Sequence, residues 1–121
     1  MIEQPYVVDH AQGSGDVRRH VARVLAEQSV PDEDEVVQVV TWELVANARA
    51  GGAERIEVWV VADEGIVRVE VRDDGPGMPE PAAELDALGR RLRLVDEVSR
   101  AWGLTPLGAC KAVWCEIVVT A

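Results

Sequence analysis

The chain has 121 residues, 48% hydrophobic and 28% charged, and its 22 acidic against 12 basic residues give a net charge of −10. This size and balance fit one folded domain, residues 1–121, with one core. The acidic surplus argues against nucleic-acid binding, which needs a basic surface, and favours a basic protein partner.

No apolar run approaches the roughly 20 residues of a membrane span. Met1-Ile2-Glu3-Gln4-Pro5 has neither the basic start nor the apolar stretch of a signal peptide. A cytoplasmic protein is the expectation. Cys110 and Cys115 have neither redox-pair nor zinc spacing, and Cys115 is expected as a small apolar strand residue. His10 and His20 read as ordinary polar residues.

In chain order, Pro5-Tyr6-Val7-Val8-Asp9 reads as a first strand. Ser14-Gly15-Asp16 is expected to open a helix, and from Asp16 to Gln28 the residues Val17, Val21, Val24 and Leu25 recur at helical spacing. Pro31 suits the first turn of a second helix, and Asp32, Glu33 and Asp34 put negative charge at its positive end. Val36, Val37, Val39 and Val40 are weak helix formers. The apolar pattern nonetheless continues through Leu44, Val45 and Ala48 to Gly51-Gly52, too long for a strand. Glu43 and Asn47 share one face of that helix, beside Val36, Val39 and Val40.

Ile56, Val58 and Val60 mark a strand within Glu54–Ala62, and Asp63-Glu64-Gly65 a tight turn. In Ile66–Asp73, Val67, Val69 and Val71 alternate with Arg68, Glu70 and Arg72, the period of a half-buried strand. That strand runs into Asp73-Asp74-Gly75-Pro76-Gly77-Met78-Pro79. A carboxylate followed by a turn whose glycines let backbone pass close to a ligand suits a ligand edge that offers donors, such as an exocyclic amine. The acidic, proline-rich stretch to Leu88 reads as a short loop. Gly89 is expected to open a helix carried by Leu92, Val95, Val98 and Ala101-Trp102 and stopped by Gly103, with free N–H groups at its start that suit phosphate. Leu104–Gly108 reads as a turn and Lys111–Thr120 as a last strand. Helices and strands are segregated, which predicts an α+β two-layer sandwich with helices on one face of a mostly antiparallel, mixed sheet.

Three blocks carry a resemblance: Glu43-Leu44-Val45-Ala46-Asn47-Ala48, Asp73-Asp74-Gly75-Pro76-Gly77, and Gly89-Arg90-Arg91-Leu92-Arg93-Leu94-Val95. In this order and spacing they resemble the asparagine box and the two glycine boxes of the Bergerat-fold (GHKL) ATPases. The chain looks most like the small anti-sigma-factor serine/threonine kinases of Gram-positive bacteria. The resemblance implies a histidine-kinase-like ATPase domain that binds ATP and Mg2+. Asn47 would ligate the metal, and Asp73 would accept from the adenine amine. Gly75 and Gly77 would admit the base and ribose, and Gly89, Arg91 and Leu92 would meet the phosphates. Glu43 would be the catalytic base for the acceptor serine. It also implies a sigma factor and an anti-anti-sigma protein as partners, and a homodimer.

Three positions depart from the family pattern. Arg91 replaces a glycine, Arg49 stands where a histidine is usual, and Ala112 follows Lys111 where a threonine or serine near Asp73 is usual. The alternative expectation is therefore a degenerate, non-catalytic module on the same fold that regulates transcription by protein contact alone. A third reading, the ATPase domain of a histidine kinase, is set below both, because the sequence shows no dimerisation helix with a phosphoacceptor histidine and the loop after Gly75 is short.

Overall fold

The computed structural model describes residues 5–9, 11–30, 35–76 and 92–119. They form β1 (Tyr6–Val8), α1 (Ser14–Glu27), α2 (Val36–Ala50), β2 (Ile56–Asp63), β3 (Ile66–Asp73), α3 (Arg93–Val98), β4 (Ala101–Leu107) and β5 (Cys110–Val118). The strands make one five-stranded sheet in the order β1-β2-β3-β5-β4. Among the described residues every pairing is antiparallel, so the expected admixture of parallel pairing is absent there. The α+β architecture is as expected.

Strand alternation separates two faces. On one, Ile56, Val58 and Val60 of β2 stand opposite Asp73, Val71 and Val69 of β3, and these stand opposite Lys111, Val113 and Cys115 of β5. This face is covered by α1 through Val17, Val21 and Leu25 and by α2 through Val37, Val40, Leu44, Val45 and Ala48, in one continuous core. The chain has no phenylalanine, so valine packing dominates the interior. Each fully buried Val or Leu contributes about 1.5–3 kcal/mol relative to exposure. That burial overrides the weak helix propensity of the valines in α2. The one buried hydroxyl in the core of that helix is satisfied locally: Thr41 Oγ1 donates to Val37 O at 2.7 Å.

Helix ends differ slightly from expectation. α1 begins at Ser14, and it is Asp16 Oδ2 that accepts the Gly13 N–H, at 3.1 Å. α2 stops at Gly51, and Gly52 takes the left-handed conformation, φ +86°. Pro31, Asp32, Glu33 and Asp34 lie outside the described residues. At the other end of α1, Gln28 completes the edge of the sheet. β1 pairs β2 only at Ile56–Val58, and beyond it Gln28 Oε1 accepts the Ala62 N–H at 2.7 Å while its Nε2 donates to Val60 O at 3.3 Å. Gln28→Leu should lower stability by about 1–3 kcal/mol by leaving these half-buried groups unmet, measurable as a fall in the urea midpoint with no change in slope.

The hairpin between β2 and β3 turns on Glu64 and Gly65, with φ of +48° and +81°. Two positive φ values suit Asn-Gly better than Glu-Gly. Glu64→Asn is expected to raise stability by about 0.5–1 kcal/mol, read as a higher melting temperature.

The largest departure lies after α3. The helix expected to reach Trp102 is described only over Arg93–Val98, and Ala101–Leu107 is a strand. The apolar spacing of Leu92, Val95 and Val98 was helical, but an unpaired edge of β5 is a stronger demand than the local pattern, because its backbone groups need partners. β4 supplies them, from Ala101 opposite Glu116 to Leu107 opposite Cys110. Trp102 is held by its indole N–H, which donates to Asp96 Oδ1 at 2.8 Å. Pro106 is tolerated because β4 is itself an edge strand. Gly103 is no helix stop. It lies opposite Trp114, and a Cβ there would stand 3.0 Å from that indole. The expected turn at Leu104–Gly108 shrinks to the residues around Gly108, φ +69°.

Cys115 is a buried apolar strand residue, as expected, and fully inaccessible. Burial pushes its thiol up from 9.0 to about 11. Because the folded value is the higher, the stabilisation is whole below pH 9 and declines as pH rises toward 11. Folded protein should leave Cys115 unlabelled by a thiol reagent at pH 8, with labelling appearing only on denaturation.

Candidate functional site

The core face of β3 ends on a charge rather than on a fourth apolar residue. Asp73 is 4% exposed. Its Oδ1 accepts the Gly75 N–H at 2.8 Å and the Lys111 ammonium at 2.8 Å. The two side chains are 2% and 15% exposed, so this is a largely desolvated ion pair. Among the described residues Asp73 Oδ2 has no donor. Sequence reasoning put Asp73 at the site but missed Lys111. The signal was present: in the Lys111–Thr120 pattern Lys111 shares its face with Val113, Cys115 and Ile117, and the register then sets it opposite Asp73.

The same register corrects the reading of Ala112. It stands opposite Arg72, on the other face of the sheet from Asp73, so a hydroxyl there could not have bonded to that carboxylate. Lys111 is the side chain that does. Arg49 is likewise accounted for structurally. It donates to Asp9 O at 2.8 Å and lies over the Trp42 ring, tying α2 to the end of β1.

The turn after β3 is bound to the loop after α2. Asp74 Oδ1 accepts the N–H groups of Glu54 and Arg55, each at 2.9 Å. The Arg55 N–H chiefly, with that of Glu54, holds this exposed carboxyl below the usual carboxylate range. Its contribution to holding the loop is therefore present at neutral pH and is lost as pH falls through that depressed value. A Cβ on Gly75 would stand 2.9 Å from Asp73 Oδ1, 3.3 Å from Lys111 Nζ and 3.4 Å from the Ala53 N. Pro76 lies against Gly52, within van der Waals reach of where its Cβ would be. The C-terminal end of α2 is thus fastened beside Asp73.

On α2, Glu43 and Asn47 are half-buried, one turn apart, with Val36 and Val39 half-buried and Val40 buried beside them. Neither polar side chain has a hydrogen-bond partner among the described residues. Leu92 is 1% exposed and belongs to the core, so any ligand contact it makes is through its backbone. Gly77, Gly89 and Arg91 lie outside the described residues. Among the described residues no group of three His, Cys, Asp or Glu side chains could hold a metal.

A cleft of about 270 Å³, of which Asp73 is one wall, is lined by Arg55, Glu57, Arg72, Asp73, Asp74, Leu107 and Cys110. By register Arg72, Cys110 and Leu107 belong to the helix-free face, and neither Glu43 nor Asn47 lines it. In its walls Arg55 pairs with Glu57 at 3.1 Å.

No helix among the described residues is long and apolar enough to cross a membrane. Among curated proteins no sequence relative matches. The histidine kinase ThkA catalytic domain, in a nucleotide-free form, superposes with a TM-score of 0.55 at 15% identity, covering 97% of each chain. A second nucleotide-free form of the same domain gives 0.55 at 17% identity and the same coverage. The histidine kinase AdeS of Acinetobacter baumannii gives 0.58 at 13% identity, covering all of this chain and 70% of that one. At these identities the likeness is one of fold. The sequence itself matches a family model over residues 32–108, which takes in α2, β2, β3, α3 and β4. Domains of that family bind ATP, usually with Mg2+. The chain belongs to the histidine kinase-, DNA gyrase B- and HSP90-like ATPase family.

Proposed function

We propose that the chain binds MgATP between α2 and the Asp73–Gly75 end of β3, and that it phosphorylates a serine or threonine of a regulatory protein. The supporting observation is the buried carboxylate of Asp73, with one oxygen lacking a donor among the described residues, fastened beside the helix that carries Glu43 and Asn47. Bound MgATP supplies the phosphoryl group. Asp73 accepts from the adenine amine. The Asn47 amide oxygen is a suitable hard ligand for Mg2+, which takes few protein ligands and completes its shell with phosphate and water.

Glu43 orients the acceptor hydroxyl and takes its proton as the serine oxygen bonds to the γ-phosphorus. The bond to the bridging oxygen breaks and ADP leaves. Such transfer depends mainly on positioning and charge neutralisation. In this reading the partners are a sigma factor, held against the acidic surface of a protein of net charge −10, and an anti-anti-sigma protein that receives the phosphate. The two partners and a homodimer are part of the proposal.

Calorimetric titration with MgATP tests it. Micromolar binding by the wild type, lost in Asp73→Asn, supports the reading. Silence at millimolar MgATP would sink it. The second reading, a contact-only module, is favoured by one observation: the Lys111 ammonium already occupies Asp73 Oδ1.

A further inference from the structure

The Asp73–Lys111 pair is unfinished on both sides. An ammonium carries three donors and no acceptor. Lys111 gives one donor to Asp73 Oδ1, and no other acceptor among the described residues takes the remaining two. Among the described residues Asp73 Oδ2 has the complementary lack of a donor. Both groups close a sheet face whose preceding members, Val71 and Val113, are buried and apolar. Neither Oδ2 nor Nζ is among the enclosed, unpartnered polar atoms of the described residues, so the edge of this pair is open and suits a ligand edge with a donor beside an acceptor. The backbone leaves room for the pair only because residue 75 is glycine, since a Cβ would stand 2.9 Å from Oδ1 and 3.3 Å from Nζ.

We propose that Lys111 is a second base-reading residue. While Asp73 takes the exocyclic amine of adenine, the Lys111 ammonium donates to the ring nitrogen next to that amine. The inference rests on the nucleotide reading above and adds a specificity determinant to it. A charged donor makes a stronger and more discriminating bond to a ring nitrogen than a neutral hydroxyl does. Lys111 is the sole lysine of the chain.

The test compares MgATP with its 1-deaza analogue, which keeps the amine and lacks that ring nitrogen, on wild type and on Lys111→Met. Wild type should bind the analogue about 10- to 100-fold more weakly than ATP, the worth of one hydrogen bond to a charged group. Lys111→Met should bind the two alike. Lys111→Gln is measured beside it, because the methionine variant leaves a buried carboxylate without its cation. Glutamine keeps a neutral donor, and discrimination should shrink to a few-fold (about 2- to 5-fold). Equal affinity of wild type for both nucleotides overturns the inference and leaves nucleotide binding intact. Tighter ATP binding by Lys111→Met or Lys111→Gln than by wild type also overturns it, showing that the lysine plugs the carboxylate. Absence of binding by all three proteins overturns the nucleotide reading itself.

Discussion

Asp73→Ala is expected to abolish MgATP binding and to lower stability by about 3 kcal/mol. Most of that loss comes from what remains behind. Lys111, 15% exposed, keeps a desolvated ammonium without its carboxylate, and the Gly75 N–H loses its acceptor. Breaking a buried pair from one side costs more than the pair contributes as a whole. The double variant Asp73→Ala/Lys111→Met should therefore recover part of the stability while remaining unable to bind nucleotide. Urea melts of the two single variants and the double, with an MgATP titration of each, complete the cycle. A melt of Asp73→Ala that matches wild type would show that the pair is solvated in solution.

Leu44→Ala has the other large expected effect, a loss of about 2–5 kcal/mol. Leu44 is 2% exposed and joins α2 to the apolar face of the sheet. Removing it leaves a cavity lined by stiff valines, which relax poorly into the space. The same helix carries Glu43 and Asn47, so weak anchoring there should also weaken nucleotide binding. Asn47→Ala supplies the contrast. Its side chain is half-buried and has no partner among the described residues, so its melt should match wild type within about 0.5 kcal/mol. Its Mg2+-dependent nucleotide binding should nonetheless be lost. Thermal melts with and without MgATP separate the two outcomes, because a bound ligand raises the midpoint only where the site is intact.

The outcomes differ by the range of the interaction. The hairpin of β2 and β3 was legible because its alternation, its turn and its pairing all lie within Ile56–Asp73. α2 was legible despite its valines, since the apolar stripe from Val36 to Ala48 is longer than any ordinary strand. The stretch from Ala101 to Leu107 was not. Its apolar residues continue the spacing of α3, and only the empty edge of β5 turns them into a strand. Ala112 was misplaced by one residue, and in a strand one residue reverses the face.

By itself, the sequence determined the fold class, the helix that carries Glu43 and Asn47, and the strand that ends on Asp73. These follow from periodicities of 3.6 and 2 residues, which are local properties of the chain. Only the tertiary structure decided which cation meets Asp73. Lys111 is 38 residues away in sequence, and its place opposite the carboxylate comes from the register of β5 on β3. The tertiary structure also decided that the loop after α2 is fastened to the Gly75–Pro76 turn. Register and docking are set by packing between segments, and no local pattern encodes them.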